Sequence, residues 1–153
     1  MMTFMTNIDL DIVRRFVATN QGLAAVSVVR ADGTPHLSLV NAGILDHPLT
    51  GRPLAALVTA SRLKLKNLRA RPAASILWSD GASWVGVEGP TEIVGPDDTI
   101  NGITSGEGLR RLLRDIFTAA GGTHPDWDEY DRTVREERRA AVLVVPERIH
   151  GLV

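Results

Sequence analysis

The chain has 153 residues, 17 basic against 18 acidic side chains, a formal net charge of −1 and no cysteine. That length fits one domain, spanning residues 1–153, able to bury roughly two-thirds of its unfolded surface without a disulfide or metal staple. The balance of charge excludes a general basic field for nucleic acid, the lack of cysteine excludes thiol nucleophiles and cysteine metal sites, and no apolar run nears the roughly 20 residues of a membrane span.

The first eleven residues have neither the basic nor the long apolar segment of a signal peptide, so a cytoplasmic protein is expected. Ile8, Ile12, Phe16 and Val17 share one stripe of a helix over 8–20, with Arg14 and Arg15 off it and Gly22 closing it. Leu23 to Val29 is a strand, and Asp32-Gly33 marks a tight hairpin. His36 to Ala42 alternates polar and apolar residues, so His36 and Ser38 share a face and the pleat assigns either Val40 or the neighbouring Asn41 to it. Asp46 to Arg52 reads as a loop and Leu54 to Thr59 as a third strand.

Ser61 is a suitable N-cap for a short helix that Arg71-Pro72 ends, because proline biases its predecessor away from helix. Ala73 to Ser79 and Ser83 to Val94 are strands flanking the turn Asp80-Gly81-Ala82. Pro96-Asp97-Asp98 can start a helix, which Gly102, Gly106 and Gly108 interrupt. Leu109 to Ala120 is a clearer helix, a further one opens near Thr123 and reaches Glu137, and Ala140 to Val145 is the last strand, followed by a tail. Hairpin-linked strands with late helices imply an α+β domain whose sheet of about six mostly antiparallel strands closes into a small barrel.

One stretch stands out chemically. The only two lysines, Lys64 and Lys66, lie within VTASRLKLKNLRARP (58–72), and no Asp or Glu occurs between Asp46 and Asp80. A helix N-terminus offers unsatisfied amides and partial positive charge, so Ser61, Arg62 and Lys64 placed there suit a phosphate, with the Thr59 hydroxyl adding a donor. Arginine clamps phosphate oxygens through a planar fork and lysine acts as a point charge. The competing reading is a wet helix face, and it fits Lys66, Arg69 and Arg71 best; Leu65 and Leu68, helped by Leu63, pack inward.

The order of helix, Asp-Gly hairpin, polar-faced strand, VTASRLKLKNLRARPAASILW (58–78) and SWVGVEGPTEIV (83–94) resembles the split β-barrel flavin and deazaflavin oxidoreductases related to pyridoxamine 5'-phosphate oxidase. The ending HPDWDEYDRTVREERRAAVLVVPERIHGL (124–152) resembles the actinobacterial class B branch that uses coenzyme F420, a deazaflavin. The resemblance runs from about residue 8 to residue 152. It implies an FMN-binding split barrel, a cofactor phosphate held by Thr59, Arg62 and Lys64, and a homodimer with two sites at its interface. Arg139, with Arg138 beside it, matches a basic position that reaches the cofactor from the partner subunit. The segment between Thr59 and Arg62 is shorter than in some relatives.

The resemblance places the His36 strand along the cofactor ring, so His36 and Ser38 either line the pocket or form a polar outer face. Trp84 either closes the ring pocket or packs in the core. The four histidines, His36, His47, His124 and His150, show no metal-ligand spacing, no Gly-x-Ser-x-Gly elbow exposes a nucleophile, and no Gly-x-Gly-x-x-Gly follows a strand. The expectation is an oxidoreductase that passes a hydride from reduced F420 to an unsaturated small organic acceptor, with no side chain identified as catalytic. An FMN-dependent oxidoreductase on the same barrel and a non-catalytic cofactor carrier are the alternatives; Lys66, Arg69 and Arg139 tilt the choice towards the longer anionic cofactor.

Overall fold

A computed structural model describes residues 8–100, 102–103 and 106–153. Among the described residues, seven strands and four helices follow in the order α1 (Leu10–Thr19), β1 (Leu23–Val29), β2 (Pro35–Asp46), β3 (Pro53–Thr59), α2 (Arg62–Ala70), β4 (Ala73–Asp80), β5 (Ser83–Val94), α3 (Gly106–Ala119), α4 (Trp127–Glu136), β6 (Ala140–Val144) and β7 (Arg148–Leu152). All strand pairs are antiparallel, in the order β4-β1-β2-β3-β6-β5, and β4 also pairs with β5, which closes six strands into a barrel. The seventh strand, β7, adds to the edge of β5, so the tail after Pro146 is a strand that the sequence reading left as coil.

Two long strands make the barrel split. β2 pairs with β1 up to Asn41 and with β3 from Ala42, while β5 pairs with β4 up to Pro90 and with β6 from Thr91. The expected end of β2 at Ala42 is therefore four residues short, because Gly43, Ile44 and Leu45 break the polar alternation once the strand becomes covered on both sides. The expected helix start at Pro96 is instead a tight turn, closed by hydrogen bonds between Gly95 and Asp98 in both directions at 2.8 and 3.2 Å. Both 12-residue strands stay extended through the exchange of partners.

The pleat sorts side chains into an inside and an outside. Inside, Val26, Val28, Leu57, Ile76, Trp78, Val87 and Val142 form the barrel core, joined by Val13 and Val17 of α1 and by Leu65 and Leu68 of α2. The Trp78 indole donates to the Ala42 carbonyl at 3.0 Å, which satisfies the one polar atom this large side chain brings inward. Outside, Leu54, Ala56 and Leu143 pack under Leu112, Leu113 and Ile116 of α3 and Tyr130 and Val134 of α4. No described helix is long and apolar enough to cross a membrane.

Capping explains where the helices begin. Asp9 accepts from the Ile12 N–H at 3.0 Å, Ser61 Oγ from the Lys64 N–H at 3.1 Å, and Asp126 from the Asp128 and Glu129 N–H groups at 3.1 and 3.2 Å. The hairpin turn is held by Asp32, whose carboxylate accepts from the Thr34 N–H at 3.0 Å, while Gly33 takes a φ of 84°.

Candidate functional site

The basic turn begins where β3 leaves the sheet. Thr59 is buried, and its hydroxyl oxygen accepts from the Ser61 N–H at 3.1 Å; Ser61 in turn caps α2. The next two amides, Arg62 and Leu63, are first-turn donors with no acceptor inside the helix. The strand end and the cap thus fix a compact turn whose free N–H groups and partial positive charge favour an anion.

A cavity of about 510 Å³ opens beside this turn. Thr59, Ala60 and Lys64 form one wall, Leu39, Val40 and Asn41 of β2 a second, and the end of α3 with Tyr130 and Arg139 a third. Lys64 is only 6 % exposed, and burial pushes its ammonium pKa below the ordinary lysine value. Among the described residues no carboxylate pairs with it: the ion pairs present use Arg14, Arg69, Arg110, Arg114, Arg138, Arg139, Arg148, His47 and His150. A buried, unpaired cation is costly, and a negatively charged ligand in the cavity would offset that cost.

Arg139 lies on the far side of the same cavity, its Nε donating to Glu137 Oε2 at 2.6 Å. It reaches the cavity from the same chain as Lys64, and Glu137 already neutralises part of its charge. Tyr130 donates its hydroxyl to the Leu113 carbonyl at 3.1 Å; burial raises its phenol pKa, and the Arg139 charge opposes that rise. Asn41 Nδ2 donates to the Gln21 carbonyl at 3.0 Å, tying the cavity mouth to the end of α1.

Of the residues singled out from sequence, the structure brings Thr59, Lys64 and Arg139 together as cavity walls. Ser61 acts through its cap, and Arg62 is exposed on the same turn. His36 and Ser38 do not line this cavity: opposite Val28 and Val26 in the β1–β2 register, they face the barrel interior, whereas Leu37 and Leu39 face out. Trp84 is on the outer face of β5, edge-on to the His150 ring with centroids 5.3 Å apart.

Three expectations for α2 change. Leu63 is 53 % exposed and packs nowhere inward. Arg69 forms a two-point pair with Asp98, at 2.8 and 2.5 Å, across 29 residues of sequence. Arg71 is half-buried and donates to the Val29 carbonyl at 2.8 Å and to Asn67 Oδ1 at 3.0 Å, so neither arginine is a free solvated cation. Only Arg62 and Lys66 keep that character, four residues apart and exposed. The sequence reading did not reach the Phe117–Gly122 wall or the place of Tyr130 beside it; the paired Gly121-Gly122 after an apolar helix was the available signal of a close approach.

Comparison with known proteins gives the architecture a lineage. The profile of the pyridoxamine 5'-phosphate oxidase family matches residues 11–149. The chain belongs to that family. Solved structures share its fold. A conserved hypothetical protein from Mycobacterium tuberculosis superposes with a TM-score of 0.66 at 21 % identity, covering 95 % of this chain and 84 % of its own. A pyridoxamine 5'-phosphate oxidase-related, FMN-binding protein from Nostoc punctiforme gives 0.60 at 13 % identity, with coverage of 96 % and 86 %. An F420 reductase gives 0.54 at 19 % identity, with coverage of 83 % and 87 %. At such identities the likeness speaks for the split-barrel fold alone, and the chemistry of this chain rests on its own cavity.

Proposed function

We propose that this protein is an oxidoreductase that binds reduced coenzyme F420 in the cavity beside α2 and serves hydride transfer to an unsaturated small organic acceptor. The observation that carries the reading is Lys64: a buried ammonium without a carboxylate partner among the described residues, on the wall of a cavity of about 510 Å³, next to the free amides of a helix start. A phosphate fits that donor set in charge and geometry. Lys64 and the Arg62 and Leu63 amides would hold the phosphate, and Arg62 and Lys66, exposed and free of carboxylates, would meet the carboxylates of the cofactor tail.

The cofactor supplies the hydride chemistry, while the protein orients it and excludes water. Val40, Val58, Ile116 and Phe117 give the cavity the apolar surface against which a flat ring and its acceptor would lie. No cavity side chain is required to deliver the accompanying proton, which solvent can supply.

FMN is the second reading, and one observation favours it. Arg69 is engaged with Asp98 and Arg139 with Glu137, which reduces the cations free to meet a long anionic tail. Titration of both cofactors by fluorescence quenching decides between them: tight F420 binding is expected, and tight FMN binding with none to F420 would overturn the reading. Oxidation of the reduced cofactor by a panel of quinones and enones then separates an enzyme from a carrier, complete inertness favouring the carrier.

We also propose that the protein acts as a homodimer. Leu39, Ala25, Leu77, Gly86 and His150 form a cross-strand row over the outer face of five strands, and Leu37 and Leu39 are 69 % and 73 % exposed there. Leu39 also lines the cavity, so a second copy seated on this face would close the cavity mouth.

A further inference from the structure

Among the described residues only Gln21 and Arg138 take a positive φ without being glycine, each at 52°. Arg138 follows the end of α4: its N–H donates to the Arg135 carbonyl at 3.1 Å, and the next N–H, of Arg139, to the Val134 carbonyl at 2.9 Å. This is the left-handed helix ending at which glycine is the usual residue, because a side chain is strained there. A departure from so local a preference asks for a contact elsewhere that makes up for it.

That contact is with a turn. Arg138 Nη2 donates to Asp97 Oδ1 at 2.5 Å, across 41 residues of sequence. The adjacent Asp98 accepts from Arg69, in the last turn of α2, through two bonds at 2.8 and 2.5 Å. Both aspartates belong to the Gly95–Asp98 turn, whose ends bond each other in both directions. The turn is seated against the start of β6, since a Cβ on Gly95 would come within 2.6 Å of the Ala140 Cβ. Neighbouring carboxylates of one closed turn therefore grip the helix that carries Lys64 and the corner that carries Arg139, and these two cations stand on different walls of the same cavity.

The helix has few other ties at that end. It is nine residues long, packs on β1 and β5 through Leu65 and Leu68, and leaves Leu63 exposed. Stability alone does not account for the arrangement: Arg138 and Asp97 are 54 % and 63 % exposed, and ion pairs in water contribute little. Asp98 is different, being 19 % exposed and met by two parallel bonds, which fix direction as well as distance. We propose that Asp97 and Asp98 are positioning residues that set the separation between the Lys64 and Arg139 walls, so that both cations can meet one anionic ligand. The proposal rests on the reading of this cavity as an anion site, and it assigns a role to residues that touch no ligand.

The first test needs no ligand. The chain has no cysteine, so Lys66→Cys on α2 and Glu136→Cys on α4, both at exposed positions, can carry a unique pair of spin labels. Double electron–electron resonance on labelled protein diluted with unlabelled chain should give one narrow distance. Asp97→Asn and Asp98→Asn should each broaden or shift it, and the exchanged pair Arg69→Asp with Asp98→Arg should narrow it again. Arg138→Gly gives a second reading, because glycine relieves the strain as it removes the ion pair. Its melting temperature should stay near wild type while its affinity for F420 or FMN, measured by fluorescence quenching, falls roughly 2- to 30-fold. An unchanged distance in both aspartate variants, or wild-type affinity in Arg138→Gly, would overturn the proposal. A wild-type chain that binds neither cofactor would overturn the proposed function instead, and the distance measurement would still decide whether the two aspartates hold the walls.

Discussion

The two halves of β2 meet opposite fates on the outside of the barrel. From Ala42 onward its outward residues are covered: Leu45 joins the cluster under α3 and α4, and a Cβ placed on Gly43 would come within 2.4 Å of the Ala119 backbone. Before Ala42 the outward Leu37 and Leu39 lie bare, on a strand with the same extended backbone. The cavity sits where one half passes into the other, with Leu39, Val40 and Asn41 on one wall and the end of α3 on another. The chain's own helices finish one face and stop at the edge of the cavity, which leaves the other face bare.

The strongest test of that contrast is on the covered half. Gly43→Ala should cost roughly 3 kcal/mol or more, since backbone atoms cannot yield as a flexible side chain would; a chemical-denaturation series measures it, and a near-neutral result would mean that α3 is loosely seated. On the bare half, Leu37→Asp with Leu39→Asp should change monomer stability by only about 0.5 kcal/mol. The same pair should weaken self-association by roughly 2–4 kcal/mol if these leucines are buried against a second copy. Sedimentation velocity reads the shift from dimer to monomer, and an unchanged sedimentation coefficient would leave the bare half without a partner of its own kind.

That contrast was only partly legible in the residues. β1 and β5 could be bounded to the residue, because both abut turns that carry Asp-Gly. The capped helix start at Ser61 was equally readable, since capping is a local interaction. What depended on distant segments was not: that Arg69 finds Asp98, that Lys64 turns into a wall while Leu63 turns out, and that β7 adds to an edge. His36 and Ser38 show the limit well. Alternation placed them on one face, but only closure of the barrel decides that this face is the inside.

At the junction itself, the cofactor-binding role proposed for Lys64 predicts effects on binding and on stability of opposite sign. Lys64→Met should weaken binding of the anionic cofactor by roughly 1.5–3 kcal/mol, the worth of a charged hydrogen bond. It should also stabilise the ligand-free fold near neutral pH by on the order of 1 kcal/mol, because an unpaired buried charge is replaced by an apolar chain. The pH sign follows from the lowered pKa. Between that folded value and the ordinary lysine value of about 10.4, the unfolded chain binds more protons, so wild-type stability rises with pH through this window. Lys64→Met should remove that rise, and thermal melts across the alkaline range would show it. Equal pH slopes for the two proteins would mean that Lys64 keeps its water shell.

The smallest expected effect belongs to the neighbouring lysine. Lys66 is exposed, two residues along α2, and has no carboxylate within reach among the described residues. Screening by solvent limits what such a charge contributes, so Lys66→Ala should change stability by no more than about 0.5 kcal/mol. Its effect on binding distinguishes the two cofactors. With FMN, whose single phosphate is met at Lys64, affinity should stay within about twofold. With F420, whose tail carries several carboxylates, affinity should fall by a few-fold at low salt and recover towards wild type as salt screens the contact. A salt-insensitive loss with either ligand would mean that Lys66 acts by shaping the helix, and the division of labour between a buried phosphate ligand and an exposed tail ligand would fail.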